Sequence, residues 1–509
     1  MNLLPFLIAS FLFINPLLEW VFRRFDLPTE KLQFWVMLTS GTAWVLALAY
    51  FFLNPINDLI DFPSAGTELL PRLVFSHDWI SASVVFSVVA LIFFAVLNRQ
   101  GNPQSNAWLA GLGGACVIGL TANTVYALGL AWTIVEGFHF YFTYQHPRIS
   151  SNPRRYLPVV LLRLSAPATL ILLSLTESDP ERSGILIDLG GPYGLALIAA
   201  GLISFLGWFL SYQGKENEKE AFPGAIENWI PGFLSLILIL RGGSITGAEE
   251  IPVVIPLILA SLLLLAVIAG TLLDRTSRIW FLSCGLMVTV SASISGVESA
   301  LSWGLVMMLP GIQLWKWSHQ PNSALFPLAL AGIGLLPLPF LPSWAGVSAF
   351  RAGLAGVFLG LSYGILLGNA IIVVLKNWGS SEADQESLPL LTSIGGAALL
   401  ISQGLISLRL GLISQSQDLI GKPVLIWVSF LGLVPVLILG NRLPLRKRAE
   451  LSQAVVKLRE SIENFLTTTL RFMDQLVNLI SRIFEGQGGL IWAILIGLLL
   501  ITLINLRGG

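Results

Sequence analysis

Glu136 and His139 are the pair of side chains best placed for chemistry. They lie in the apolar stretch Trp132-Thr133-Ile134-Val135-Glu136-Gly137-Phe138-His139-Phe140, and a separation of three residues sets both on one face of a helix. A carboxylate and an imidazole so placed form a proton relay, each altering how tightly the other holds its proton. At membrane depth, where a stretch so apolar belongs, an ionisable side chain costs roughly 2.5 to 3.5 kcal/mol, so its presence points first to function. Arg163 and Arg351 stand in similarly apolar surroundings, and a guanidinium from either would offset the buried carboxylate. These four residues are the proton-path candidates. Plainer readings stand beside them: an ion pair or snorkelling for the two arginines, a carboxylate paired to a neighbouring helix for Glu136, and for His139 a place in an aromatic belt with Phe140, Tyr141 and Tyr144. Glu298 falls at a span end.

The elements that must hold these residues are membrane helices. Of 509 residues, 55% are hydrophobic and 11% charged, with a mean hydropathy of +0.78; soluble domains carry about 25% charged residues. Lys+Arg and Asp+Glu balance at 29 each, and no basic patch interleaves with aromatics, so nucleic acid is excluded and the lipid bilayer is the first partner. A membrane helix needs about 20 mostly apolar residues, and roughly sixteen such stretches can be placed, too many to leave room for a soluble catalytic domain. The fold class is all-α: a polytopic transmembrane helix bundle of about 14–16 spans with broken helices, a C-terminal amphipathic helix and an anchor span. Asn2 to Glu19 lacks a basic n-region and reads as a retained first span.

Within the bundle, the eighth span (229–241) is short. It opens with Trp229, Pro231 and Gly232 and ends at Arg241-Gly242-Gly243, as expected of a broken helix buried among others. Alternating the loops between two sides puts Arg23, Arg24, Lys31, Arg99, Arg154 and Arg155 with most other cations on one side, while the other side holds Arg72, Arg182, Arg241, Arg409 and Lys422. Excess positive charge marks the cytoplasmic face, so the N-terminus is outside and the basic loops are cytoplasmic. After the polytopic domain (1–440), Leu451, Val455, Leu458, Ile462, Leu466 and Leu470 recur at helical spacing. Residues 441–486 therefore form a cytoplasmic-side amphipathic helix, and 487–509 return as an anchor.

Other chemistries find little support. Cys116 and Cys284 are isolated, and His77, His139, His146 and His319 are scattered, so neither a metal site nor paired haem ligands are expected. No HExxH, GxSxG, P-loop or Rossmann fingerprint occurs in a suitable context. No catalytic residue and no cofactor is assigned. The 16 Trp and 29 Phe are read as mostly interfacial and lipid-facing.

The order of motifs resembles the antiporter-like, proton-translocating membrane subunits of complex I, membrane hydrogenases and Mrp antiporters, over residues 75–380. Leu130-Ala131-Trp132-Thr133-Ile134-Val135-Glu136 is similar to that family's Trp-Glu pair, and Phe222-Pro223-Gly224-Ala225-Ile226-Glu227-Asn228-Trp229-Ile230-Pro231 to its proline-flanked opening of a broken helix. Asp274-Arg275-Thr276-Ser277-Arg278 resembles its Asp-x-Lys-Arg loop, and Gly332-Ile333-Gly334-Leu335-Leu336-Pro337-Leu338-Pro339 its turn in a later broken helix. Pro231, Pro337 and Pro339 are thus the broken-helix residues. The chain departs from the family where membrane lysines are expected: Gly201 to Phe209 carries no charge, Val306-Met307-Met308-Leu309-Pro310 is apolar, and Pro342-Ser343-Trp344-Ala345-Gly346 stands after the turn.

The resemblance implies a divergent antiporter-like subunit of a redox-linked, ion-translocating respiratory-type complex in the cell inner membrane. Its partners would be other membrane subunits, with protons or Na+ as the ion. The missing lysines argue against pumping of its own, and any enzymatic role reduces to a non-catalytic subunit of an NADH:quinone oxidoreductase-like or hydrogenase-like complex. The alternatives are an independent secondary transporter of a small solute, a non-transporting scaffold subunit, or a lipid-linked glycan enzyme built on Asp58, Asp61 and Asp78.

Overall fold

The computed structural model describes residues 3–53, 58–62, 73–98, 103–144, 162–170, 191–211, 223–246, 251–272, 276–317, 331–338, 341–378, 390–413 and 421–442. The first helices are α1 (Leu4–Arg24), α2 (Thr29–Leu53), α3 (Trp79–Asn98), α4 (Pro103–Thr121), α5 (Val125–Tyr144) and α6 (residues 162–170). There follow α7 (Gly191–Ser211), α8 (Pro223–Thr246), α9 (Val254–Leu272), α10 (Thr276–Ile294) and α11 (Val297–Trp317). The last are α12 (residues 331–335), α13 (Pro342–Gly346), a 3-10 turn (Val347–Arg351), α14 (Gly353–Trp378), α15 (Leu390–Ile413) and α16 (Gly421–Arg442). The amphipathic helix expected over 441–486 and the anchor over 487–509 lie, from residue 443 on, outside the described residues, as does Pro339.

Seven described helices are long and apolar enough to cross a membrane, and four shorter apolar helices accompany them. The chain is a multi-pass all-α membrane protein. The one sheet among the described residues is a ribbon in which β1 (Asp58–Phe62) pairs antiparallel with β2 (Leu73–His77), Asp58 opposite His77. A bridge from Phe75 to Ala122 and an edge-on contact with Phe6 at 4.9 Å seat the ribbon on the turn between α4 and α5. Burial orders the helices. The apolar windows of α3, α8 and α11 are 89% buried against 28% for α9, so the former make the centre and α9 faces outward.

In lipid, apolar surface gives helices no reason to associate, so close packing of small residues must do it. Along α7 and α8, a Cβ on Gly201 would stand 2.8 Å from the Ser235 carbonyl oxygen, and one on Gly242 2.6 Å from that of Gly194. On α14 and α16, a Cβ on Gly364 would overlap the Ser429 carbonyl oxygen and one on Gly432 that of Leu361. Gly353 (φ +59°) and Gly296 (φ +87°) take left-handed conformations that turn the chain into α14 and α11.

Pro231 does not break its helix. α8 runs for 24 residues straight through it, because a proline removes one N–H whereas a break would expose several backbone groups where no water can satisfy them. Prolines within α1 and α11 are handled by side chains. Asn15 Nδ2 donates to the carbonyls of Phe11 and Leu12, both at 3.2 Å, next to Pro16, and Thr39 Oγ1 donates to Asn15 Oδ1 at 2.6 Å. Beside Pro310, Trp280 Nε1 donates to the Met307 carbonyl at 2.8 Å.

A true interruption occurs around Pro337, between α12 and α13, and carbonyls on either side of it accept from side chains. Tyr363 donates to Leu335, Ser343 to Leu336, and Ser302 to Pro342, while Trp303 and Ser299 donate to Gly346. Not every tryptophan is interfacial: Trp132, Trp208, Trp280 and Trp303 are fully buried, and two of them cap backbone that the bilayer cannot solvate. If the Gly364 contact holds α14 to α16, Gly364→Ala lowers detergent-state thermal stability by about 1 to 3 kcal/mol. Gly404→Ala, the same change at a site with nothing within 4 Å, leaves the melting temperature unchanged by differential scanning fluorimetry.

Candidate functional site

Arg163, at the start of α6, gathers the site. Its Nη2 lies 2.9 Å from Glu136 Oε2, its Nη1 3.1 Å from His139 Nδ1, and its guanidinium carbon 4.4 Å from the Trp208 ring centroid. His139 meets the same indole edge to face at 5.0 Å. The residue is 1% exposed and His139 4%, and the Glu136 side chain 13%. α5 supplies Glu136 and His139 from one face, α7 supplies Trp208, and Gly207 lets α6 approach, since a Cβ there would stand 2.8 Å from the Arg163 backbone nitrogen.

The geometry fixes proton positions. A guanidinium only donates and is not deprotonated in proteins, so His139 Nδ1 accepts, leaving the imidazole neutral with its proton on Nε2. Glu136 is the carboxylate that balances the cation. Its Oε1, with Trp132 Nε1 and Trp208 Nε1, has no hydrogen-bond partner among the described residues; Trp132 precedes Glu136 by one helical turn. From Arg163 a short polar track leads inward: Ser204 donates to the Arg163 carbonyl at 3.2 Å and Ser235 to Ser204 at 3.2 Å.

Among the described residues no further hydrogen bond extends this track beyond Ser235. Beyond Ser235, α8 presents Leu236, Ile237, Leu238, Ile239 and Leu240, all buried, before reaching Arg241 about 9 Å further along. Arg241 is 3% exposed and forms a second cluster, bonding Asn123 Oδ1 at 3.2 Å and Ser81 Oγ at 3.1 Å, with Asp78 at 3.5 Å. Asp78 also accepts from the Ser81 backbone N–H at 2.6 Å, capping α3. This cluster ties α8 to the start of α3 and to the turn between α4 and α5. Sequence reasoning placed Arg241 at a helix end and named Asp78 only as an acid of the glycan-enzyme alternative, and missed their pairing; the signal was the burial demanded of a cation preceded by five apolar residues.

No protein-family model matches the sequence, and no curated protein does. Solved structures do match. A chain of the Mrp complex from Dietzia sp. DQ12-45-1b superposes with a TM-score of 0.65 at 12% identity, covering 100% of this chain and 63% of that one. A chain of respiratory complex I from Thermus thermophilus gives 0.60 at 13%, covering 86% and 98%. One from the membrane-bound sulfane sulfur reductase, an archaeal respiratory membrane complex, gives 0.59 at 13%, covering 97% and 99%. The chain has the antiporter-like fold. It spans under two thirds of the Mrp chain's length, so the likeness to that chain covers only part of it.

On this antiporter-like fold, three of the four proton-path candidates, Glu136, His139 and Arg163, converge on one site. Arg351 does not join them; it is exposed at the end of the 3-10 turn. Pro231 lies inside continuous α8, and Pro337 in the interruption. Glu298 sits exposed in the first turn of α11. Among the described residues no group of three or more His, Cys, Asp and Glu side chains is arranged to hold a metal ion. Asp78, one acid of the glycan-enzyme set, is committed to Arg241.

Removing one partner of a buried ion pair leaves an uncompensated charge, at a cost of about 3 to 5 kcal/mol. Arg163→Gln is therefore expected to lower thermal stability strongly in detergent, whereas the double variant Glu136→Gln/Arg163→Gln recovers part of the loss. Arg163→Lys recovers less than the double variant, because an ammonium cannot bond Glu136 and His139 while stacking on Trp208. Additive single and double losses in scanning fluorimetry would show that the pair is not coupled.

Proposed function

We propose that this chain is a non-pumping, antiporter-like membrane subunit of a redox-linked, ion-translocating complex, contributing packing surface and insulation rather than an ion path of its own. The observation that carries this reading is the Glu136–Arg163–His139 cluster. A carboxylate that passes protons must be protonated once per cycle, and the cation beside it must then find other compensation or lose its charge. Arg163 cannot lose its charge, and its 1% exposure denies it water. The cluster is a lock that favours one protonation state.

Two further features support the reading. The buried Leu236 to Leu240 run separates the two charged clusters along α8, and carbonyls flanking the Pro337 interruption are occupied by the chain's own side chains. The expected orientation, with the N-terminus outside and the basic loops cytoplasmic in an inner membrane, belongs to the same proposal. So does the amphipathic helix expected over 441–486, which would run along neighbouring subunits.

A tagged chain expressed at native level and extracted in mild detergent is expected to co-migrate on a native gel with quinone- or hydrogen-linked redox subunits identifiable by mass spectrometry. In the purified complex, Glu136→Gln would leave the protons moved per electron unchanged while lowering stability. Migration alone would remove the subunit assignment in favour of a solute transporter. A fall in the proton-to-electron ratio of an intact Glu136→Gln complex would remove the non-pumping part.

A further inference from the structure

A groove of about 500 Å³ opens at the end of the bundle where α1 finishes, α4 begins and α5 ends. Phe13, Leu17 and Trp20 of α1 face Trp108 of α4 and Phe138 of α5 across it. Phe138 holds the aromatic wall together, its ring centroid 5.8 Å from that of Phe13 and 5.7 Å from that of Trp108. Gly111 sets the floor, since a Cβ there would stand 2.5 Å from Pro16 and 2.8 Å from Phe138.

Two charges line this apolar slot. Glu19 is 5% exposed although it is a carboxylate, and Arg23, one helical turn on, is exposed at the mouth. Neither makes an ion pair or hydrogen bond with another described residue, so the Glu19 carboxyl lines the slot without a side-chain partner while Arg23 stands one helical turn away at its mouth. A buried charge needs a counter-charge, and the slot lies where tryptophan and arginine mark the level of lipid headgroups.

We propose that the groove binds one phospholipid whose headgroup carries a primary amine. The ammonium donates to Glu19, the phosphate receives Arg23, and an acyl chain lies against Phe13, Trp108 and Phe138. Glu19 and Arg23 lie one helical turn apart on the same side of the groove, so a compact headgroup carrying both a cation and an anion can reach both. A phosphoglycerol headgroup places the same phosphate on Arg23 but brings no cation to Glu19, so charge complementarity selects the zwitterion.

The test uses the full chain, purified in mild detergent and stripped of lipid. Native mass spectrometry would follow its binding of phosphatidylethanolamine and phosphatidylglycerol with matched acyl chains. The ethanolamine lipid is expected to be retained roughly tenfold better, the effect of one charge-assisted hydrogen bond. Glu19→Gln brings the two lipids to parity, and Arg23→Gln weakens both. N-acetylated phosphatidylethanolamine, which keeps the tails and phosphate but lacks the amine, loses the advantage on the unmodified chain and so tests the idea without a variant. Parity or a preference for phosphatidylglycerol on the unmodified chain would overturn the proposal, as would an advantage that survives acetylation or Glu19→Gln.

Discussion

A guanidinium that can neither lose its proton nor reach water constrains everything around it. Arg163 is 1% exposed, so the bundle must bring it a carboxylate, an acceptor nitrogen and an aromatic face from two other helices. Glu136 and His139 must share a face of α5, Trp208 must come from α7, and Gly207 must be small enough for α6 to lie against it. Move any of these by a turn and a charge is stranded where insertion alone costs roughly 2.5 to 3.5 kcal/mol. The same logic applies at Arg241, where Asp78, Ser81 and Asn123 from separate segments close around a second buried cation.

Backbone groups obey the same constraint more quietly. Proline within α1 or α11, and the interruption around Pro337, each leave carbonyls that a soluble protein would hand to water. Here Asn15, Trp280, Tyr363, Ser302 and Trp303 take them. Broken helices on this fold could serve as polar stations for an ion, but a carbonyl already accepting from a tryptophan has less to offer one. The chain thus keeps the antiporter-like architecture while several carbonyls beside its prolines are occupied by its own side chains.

Function follows from how these clusters are spaced. A proton path needs groups that change charge, separated by distances that hydroxyls or water can bridge. From the charged cluster one short track, Arg163 to Ser204 to Ser235, leads to an apolar run on α8. That arrangement underlies the proposal of a subunit that holds neighbours rather than passing ions. Its surface at the level of the lipid headgroups, where Glu19 and Arg23 flank an aromatic groove, is where the bilayer itself becomes a specific ligand.

Much of this was legible in the sequence. Composition and span length alone require a multi-pass helical membrane protein, because only helices and closed barrels satisfy their own backbone in lipid. The i, i+3 spacing of Glu136 and His139 puts them on one face whatever surrounds them, and four motifs in order pointed to the antiporter-like fold. The sequence could not say which arginine serves Glu136, since Arg163 and Arg351 sit in equally apolar stretches and only packing brings one of them within 2.9 Å. Nor could it tell a kink from a break: Pro231 and Pro337 read alike, yet one lies inside a continuous helix and the other in an interruption. Local pattern determines which residues must be buried, because that depends on a residue's own transfer energy. Which buried groups meet depends on contacts between segments distant in the chain, and that only the tertiary structure decided.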